Sequence, residues 1–373
     1  MSRPTVLLGM SGGVDSSVAA LLLTRQGYEV HGVTLQVWEH EDEKVAASKR
    51  WEERGCCKVG IARYVAQKLS IPHEVVDSRQ QFRTAVIDDF VASYASGSTP
   101  NPCVRCNERV KIRQLIDLAD SKGIRYVATG HYARIDSFEN QPVLKKGTDA
   151  RKDQSYFLYR LQPAWLNRML FPVGHMQKSE VWKVADTLGL PADEMRESQE
   201  ICFVSHGDYR SFLKAQPALS ATPGRFVDQA GKTLGMHQGI PFYTPGQRRG
   251  LGIATGERLY VQQVQPATNT VILGPEEVLQ SSTCSVLDLN ILDPRLLDTS
   301  TTVECKVRYA TPPSGATTTP ITGKKLTIQF DTPQRALSPG QSAVFYDGDR
   351  VLGGGIIDAI ETKSPHTTAS QSK

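Results

Sequence analysis

Residues 5–17 read TVLLGMSGGVDSS and join a short apolar run to the start of a helical pattern. Apolar side chains recur at helical spacing from Ser16 to Arg25, and Gly27 follows. Glycines between strand and helix let backbone N–H groups approach an anion, and the helix N-terminus favours negative charge. The spacing fits neither a Walker A motif nor the dinucleotide fingerprint. We interpret residues 9–17 as a phosphate-binding loop, with a helix-capping turn as the alternative. Asp15 in this loop favours a bound Mg²⁺ ion.

The order of the predicted elements divides the chain. Strands and helices alternate over residues 5–135, which predicts a parallel sheet covered on both faces. After Pro223 the pattern changes to strands separated by turns, which predicts a small antiparallel barrel or sandwich. We predict a catalytic α/β domain over 1–207, a β-rich central α+β linking domain over 208–278 and a C-terminal antiparallel β-barrel over 279–362. Residues 363–373 are rich in Ser, Thr and Gln and are predicted to be a disordered tail.

Composition narrows the function classes. The 373 residues are 39% hydrophobic, and the longest apolar runs are far shorter than the roughly 20 residues of a membrane span. With no export signal in view, we expect a cytoplasmic protein without a membrane partner. The net charge of +4 is modest, but Lys and Arg cluster around residues 105–113, 145–152 and 248–249. These clusters favour an anionic partner, with ordinary solvated surface charge as the alternative.

The seven cysteines argue against an extracellular disulfide framework, because their number is odd. Cys103 and Cys106 lie in STPNPCVRCN, residues 98–107, which we interpret as a Pro-rich, basic turn. Zinc usually takes four ligands, and the chain has no second C-x-x-C pair. Cys284 and Cys305 fall in strand patterns and are predicted to be core residues.

Motifs spread over nearly the whole chain carry a family resemblance. SGGVDSS resembles the pyrophosphate-binding loop of the adenylating ATP pyrophosphatases. TPNPCVRCN, ATGHYAR, KDQSYFLY, ICFV, TPGQRRGLGI and PGQSAVFYDGDRVLGGGII resemble one branch of them, the bacterial-type tRNA 2-thiouridylases. The resemblance implies an adenine nucleotide alpha hydrolase-like fold and a tRNA-uridine 2-sulfurtransferase. Such an enzyme adenylates the C2 oxygen of the wobble uridine and then transfers sulfur from a cysteine persulfide, releasing AMP and pyrophosphate.

The resemblance also implies site residues. Cys106 matches the nucleophile, and Cys202 matches the persulfide carrier that forms a disulfide with it. The implied cofactors are ATP and Mg²⁺. The positions implied to bind ATP are Gly9, Met10, Ser11, Gly12, Gly13, Val14, Asp15, Ser16, Leu35 and Gly130. The positions implied to bind tRNA are Asn101, Pro102, Cys103, His131, Lys152, Asp153, Gln154, Arg308, Tyr309 and Gln341.

The implied partners are the anticodon stem-loop of tRNAs for Lys, Glu and Gln, a persulfide donor fed by a cysteine desulfurase relay, and a reductant. Many family members carry Asp where this chain has Cys103. Cys103, Cys106 and Cys202 could instead hold an iron–sulfur cluster, so both chemistries stay open. Two other functions also stay open. An adenylating enzyme with an amine nucleophile needs no thiols, and a non-catalytic nucleotide sensor releases no pyrophosphate.

Overall fold

The computed structural model describes residues 3–38, 58–190, 201–204, 208–253, 256–321 and 325–361. The predicted tail and two of the cysteines, Cys56 and Cys57, lie outside these residues. The chain forms two compact units. The first contains Met1–Phe90, Pro102–Phe212 and Asp347–Val351, and the second contains Val91–Asn101, Leu213–Tyr346 and Leu352–Lys373.

The first unit is built on a parallel sheet, as predicted. Its strands are β1 Thr5–Gly9, β2 Glu29–Gln36, β3 His73–Asp77, β4 Tyr126–Ala128, the hairpin strands β5 Ala133–Phe138 and β6 Gln141–Lys146, and β7 Met169–Leu170. Five of them form the sheet in the order β3-β2-β1-β4-β7. Val6, Leu7 and Leu8 of the central strand β1 are fully buried. Burial on both faces of the sheet explains the uninterrupted apolar run that begins the sequence motif.

Helices alternate with these strands along the chain and continue after them. They are α1 Val14–Arg25, α2 Val59–Lys68, α3 Arg79–Phe82, α4 Asp88–Ala95, α5 Pro102–Cys106, α6 Ile112–Ser121, α7 Ser155–Leu158, α8 Lys178–Thr187 and α9 Tyr209–Lys214. α6 shows why they form, because Ile112, Leu115, Ile116 and Ala119 are buried at helical spacing along one face. None of the described helices is both long and apolar enough to cross a membrane.

The segment that contains Cys103 and Cys106 has a different secondary structure from the turn predicted from its sequence. Cys103 and Cys106 lie in α5 rather than in a turn, and a π-helical segment, Asn107–Lys111, continues α5 into α6. Pro102 explains the difference, because proline suits the first position of a helix, where its missing N–H is not needed. A second π-helical segment, Arg83–Ile87, lies between α3 and α4. π-helical turns are rare in proteins, and those that occur often lie at functional sites.

The second unit contains a small mixed sheet and a closed barrel. β8 Gly224–Val227, β9 Thr233–His237, β10 Tyr260–Gln265 and β11 Thr270–Gly274 form the mixed sheet in the order β10-β11-β8-β9. The barrel strands are β12 Gln280–Ile291, β13 Thr301–Lys306, β14 Ser314–Ile321, β15 Lys325–Arg335, β16 Ser342–Asp347 and β17 Arg350–Glu361, and the short helix α10 Arg295–Asp298 precedes β13. β12 pairs with both β15 and β17, which closes the antiparallel barrel. Cys284 and Cys305 are buried in its core, as predicted.

Candidate active site

The glycine loop lies between β1 and α1, and backbone from two other parts of the first unit encloses it. Gly12 has a φ of +76°, and a Cβ there would lie 2.1 Å from the carbonyl oxygen of Lys58. A Cβ at Gly130 would lie 2.6 Å from the amide nitrogen of Ser16. The Lys58 N–H donates to the Ser11 carbonyl at 2.7 Å. Glycine is therefore required at both positions. These close approaches bring the loop, the start of α2 and the end of β4 together.

The loop is ordered by its own hydroxyl groups. Ser16 and Ser17 donate from Oγ to the Gly13 carbonyl at 3.0 and 2.9 Å, and the Ser11 and Ser16 hydroxyls lie 3.3 Å apart. The first N–H groups of an α-helix have no acceptor within the helix, so the start of α1 can bind an anion. Leu35, which the resemblance also implied to contact the nucleotide, is buried on β2. This arrangement can hold the phosphates of a nucleotide.

Asp15 has two partners that the sequence interpretation missed. Its Oδ1 accepts hydrogen bonds from Lys178 Nζ at 2.6 Å and from the Tyr132 hydroxyl at 2.7 Å. Both donors are buried, with 7% and 2% of their surfaces exposed. The Lys178 ammonium also lies 4.7 Å from the ring centroid of Trp182. A cation is thus fixed beside the phosphate loop. Its only signal in the sequence was a lysine at the start of an otherwise ordinary helical pattern.

The predicted Mg²⁺ ion can be compared with the donors present. Among the described residues, no group of three His, Cys, Asp or Glu side chains is arranged to hold a metal ion. Mg²⁺ does not need such a cage, because it commonly binds one carboxylate together with substrate phosphates and waters. Asp15 is such a carboxylate, in the first turn of α1, although Lys178 already balances its charge. The residues therefore fit a Mg²⁺ ion carried in by ATP.

A network of ion pairs fixes the cysteine helix α5. Glu108, two residues after Cys106, lies 2.7 Å from Arg160 Nε and 3.1 Å from Arg105 Nη1. Burial disfavours charge on Arg160, but Tyr159 and Glu108 outweigh it and raise its pKa. Asp89 on α4 pairs with Arg105 at 3.9 Å and with Arg109 at 3.4 Å. α5 is thereby tied to α4, and Cys106 is buried at its end.

Cys202 belongs to a segment that packs on the same helical region. The next residue, Phe203, places its ring edge-to-face on Phe82 and Phe90, with centroids 5.7 and 5.3 Å apart. Phe90 directly follows Asp89, which binds the cysteine helix. The structure thus attaches the segments carrying Cys106 and Cys202 to one helical stretch, residues 79–90. Cys202 is partly exposed, and both cysteines are thiols.

Cys103 has a different environment from Cys106. Its side chain reaches solvent, yet the surrounding protein raises the pKa of its thiol, and the Lys111 ammonium opposes that rise. Burial lowers the pKa of His131 to about 3, and the Lys111 charge is a second, smaller cause of this shift. His131 Nδ1 lies 2.7 Å from Thr129 Oγ1. The imidazole is therefore neutral at pH 7. Contact of His131 with tRNA stays a prediction.

The segment implied to bind tRNA around Lys152 is held by internal hydrogen bonds. Asp153 is buried, and its carboxylate accepts the N–H groups of Gly147 and Ser155 at 2.9 and 3.0 Å. Gln154 Oε1 accepts the N–H of Tyr132 at 2.9 Å. Exposed cationic surface here comes from Arg151, with Lys152 half-buried. Asp153 and Gln154 shape this loop, and their contact with tRNA stays a prediction.

In the second unit, the residues implied to bind tRNA fall into two groups. Tyr309 is 37% exposed, and Lys306 Nζ lies 5.1 Å from its ring centroid. Arg308 instead donates to the Ala336 carbonyl and to Ser338 Oγ. Gln341 Nε2 donates to the Thr99 and Pro100 carbonyls, at 3.0 and 3.1 Å, next to Asn101. Tyr309 has the exposed ring that stacking on a base requires, whereas the other two side chains hold the protein's own backbone.

Comparison with known proteins assigns the chain to a family. Three family models match it: a tRNA methyl transferase HUP domain over residues 4–206, the PRC-barrel domain of that family over 210–275 and an aminomethyltransferase β-barrel domain over 281–357. Among its curated relatives is the tRNA-specific 2-thiouridylase MnmA of Magnetococcus marinus, 46% identical over 96% of this chain and 100% of the relative. Those of Acetivibrio thermocellus and Pelotomaculum thermopropionicum are 45% and 44% identical, over 96% of this chain and 100% and 98% of their own lengths. The chain therefore belongs to the tRNA-specific 2-thiouridylase family.

Proposed function

We propose that this protein uses ATP to replace the C2 oxygen of the wobble uridine in tRNA with sulfur. One observation supports this most directly. A single compact unit contains the enclosed phosphate loop and two thiol-bearing segments, around Cys106 and Cys202, that pack on one helical stretch. Neither feature alone identifies the reaction, but activation by ATP and sulfur transfer require both.

The chemistry needs activation first. The C2 oxygen is a poor leaving group, so it attacks the α-phosphorus of ATP and pyrophosphate leaves. In this proposal the start of α1 and the Lys178 ammonium, 2.6 Å from Asp15, stabilise charge on the departing phosphates. Mg²⁺ bound with ATP supplies further charge neutralisation. The product of this step is an O-adenylated uridine.

Sulfur transfer follows. The terminal sulfur of a Cys202 persulfide attacks C2, and AMP leaves with the former uridine oxygen. The Cys106 thiolate then attacks Cys202 Sγ. The bond between the two sulfurs of the persulfide breaks, its electron pair stays on the sulfur bound to C2, and a Cys106–Cys202 disulfide forms. The two cysteines are oxidised, the transferred sulfur is reduced, and a thiol reductant restores both thiols. The persulfide donor protein and the reductant are partners in this proposal.

We take Tyr309 and the cationic side chains Arg151 and Lys152 as tRNA contacts. The exposure of the Tyr309 ring and of Arg151 supports this choice. Contacts of Lys and Arg with phosphates orient the anticodon stem-loop and make its affinity salt-dependent. The wobble base leaves its stack to reach the cysteines.

The test is stoichiometric. Purified protein, unmodified tRNA, ATP and a persulfide donor are mixed, and 2-thiouridine, AMP and pyrophosphate are measured together. Equal amounts of the three products support the proposal. AMP formation without thiouridine, on addition of amines, would favour an amine-transferring enzyme. ATP binding without pyrophosphate release would favour a sensor.

An iron–sulfur cluster is the alternative chemistry for the thiols. Cys103, Cys106 and Cys202 are all described, and they do not form a group arranged to hold a metal ion. Anaerobic purification followed by iron and acid-labile sulfide analysis decides between the two routes. Thiolation by iron-free protein supports the persulfide route. Stoichiometric iron that is lost with activity in Cys103→Ser would overturn it.

A further inference from the structure

The loop of residues 148–154 is a preformed unit with few internal degrees of freedom. Asp149 Oδ1 accepts the N–H of Arg151 at 3.0 Å, and the N–H of Thr148 donates to the Gly174 carbonyl at 2.9 Å. Together with the bonds to the buried Asp153 carboxylate, these contacts fix the backbone while Arg151 remains exposed. A ligand that moves this loop therefore moves it together with the groups bonded to it.

One set of bonds leads from this loop through Tyr132 to the phosphate loop. Gln154 holds the Tyr132 backbone on both sides, since its Oε1 accepts the Tyr132 N–H at 2.9 Å and its N–H donates to the Tyr132 carbonyl at 2.8 Å. A Cβ at Gly147 would lie 2.8 Å from the same carbonyl, so the loop packs directly on this backbone. The Tyr132 hydroxyl, in a side chain that is 2% exposed, donates to Asp15 at 2.7 Å.

A second set of bonds leads from the same loop to the same atom. Asp149 Oδ2 accepts the N–H of Lys178, the first residue of α8, at 2.9 Å. The Lys178 side chain then reaches Asp15 Oδ1 at 2.6 Å. Both sets therefore begin at residues 148–154 and end on one oxygen of the phosphate loop, and every side chain that carries them is at least half-buried.

We propose that Tyr132 is a positioning residue that couples tRNA binding at residues 148–154 to ATP binding at the phosphate loop through Asp15. This inference rests on the proposed function, because it takes residues 148–154 as a tRNA contact. Binding that shifts this preformed loop shifts Tyr132 with it, which repositions the Asp15 carboxylate beside the phosphates. By linkage, ATP bound at the loop favours tRNA by the same factor. Such coupling ties ATP use to the presence of the substrate RNA.

The test measures a ratio. The affinity of α,β-methylene-ATP, which cannot be cleaved between the α- and β-phosphates, is measured by calorimetry with and without unmodified tRNA at fixed salt. Tyr132→Phe retains the ring and removes only the hydroxyl. Tyr260→Phe is the matched control, because Tyr260 is also a buried tyrosine that donates to a carboxylate, Glu276 at 3.4 Å, in the second unit. A merely structural loss would weaken ATP binding equally in both conditions and leave the ratio unchanged.

We expect tRNA to tighten analogue binding by about 5- to 150-fold in the wild type and in Tyr260→Phe, the usual range for coupled sites. We expect the ratio to fall toward one in Tyr132→Phe, with part of the coupling retained by the bonds through Asp149 and Lys178. An unchanged ratio in Tyr132→Phe, or no tightening in the wild type, would overturn the coupling while leaving thiolation by the wild type intact. Coupling of the expected size without any thiouridine formation would instead support the coupling and overturn the proposed reaction.

Discussion

Replacing Gly12 with alanine tests whether the enclosed loop is the nucleotide site. An added Cβ would lie 2.1 Å from the Lys58 carbonyl oxygen, so the start of α2 would have to move by more than 1 Å to reach ordinary contact. That movement breaks the 2.7 Å bond from the Lys58 N–H to Ser11. The lost hydrogen bond costs about 1 kcal/mol. The φ of +76° adds about 1–2 kcal/mol for a residue with a side chain.

These costs total about 2–3 kcal/mol. Because the loop must adopt this geometry to bind the nucleotide, the cost corresponds to a roughly 30- to 150-fold loss of affinity for the ATP analogue. Two controls separate the contributions. Gly27→Ala, at a φ of +86° with no atom within 4 Å of its Cβ, incurs only the backbone cost, outside the loop. Gly13→Ala stays in the loop, but its Cβ lies 3.4 Å from the nearest atom. The assay is calorimetric titration with the non-cleavable ATP analogue. Equal affinity of Gly12→Ala and Gly13→Ala would refute the reasoning.

Three further predictions follow from individual contacts. Lys178→Met should lower the rate of pyrophosphate release at least about tenfold, because the positive charge beside the phosphates is lost. Lys183→Met, which changes an exposed lysine of the same helix, should keep the wild-type rate, and equal rates of the two variants would contradict this. Burial and the Lys111 charge lower the pKa of His131 to about 3 in the folded protein. As pH falls below about 6.5, His131 therefore takes up a proton in the unfolded chain but not in the folded protein, and the free energy of unfolding decreases. His131→Gln should therefore lose less stability between pH 6.5 and 4 in denaturant melts, and identical pH profiles would argue against it. Tyr309→Ala should weaken tRNA binding by about 1–3 kcal/mol in filter binding at fixed salt, because a stacked base loses its aromatic partner, and should leave ATP binding unchanged. Unchanged tRNA affinity would show that the Tyr309 ring does not stack on RNA.

The features that followed from local pattern were predictable. The apolar run Val6–Leu8 and the glycines after it indicated a buried parallel strand leading through a glycine loop into a helix, and the strand, loop and helix are present. Phosphate binding by this loop stays a prediction. Alternating strands after Pro223 indicated the barrel, which β12 closes by pairing on both sides. In each case neighbouring residues determine the structure, because strand period and turn chemistry act over a few positions.

The features that depend on distant residues were not predictable. Lys178 is 163 positions from Asp15, and Tyr132 is 117 positions from it. No spacing rule connects residues so far apart, so a lysine in a helix was indistinguishable from a surface residue. The cysteine segment was misread for a different reason. Its two prolines resemble turn signals, but Pro102 begins a helix whose continuation depends on packing.

The central claim is that Cys106 and Cys202 transfer sulfur to a uridine that the phosphate loop has activated. The most direct measurement is a single-turnover reaction of wild type, Cys106→Ser and Cys202→Ser with unmodified tRNA, ATP and a persulfide donor, with Cys284→Ser as the core-cysteine control. Thiouridine is quantified by mass spectrometry and pyrophosphate by a coupled assay. We predict that both active-site variants release pyrophosphate but form no 2-thiouridine, while the control forms it. Thiouridine at the wild-type level in both Cys106→Ser and Cys202→Ser would contradict the account.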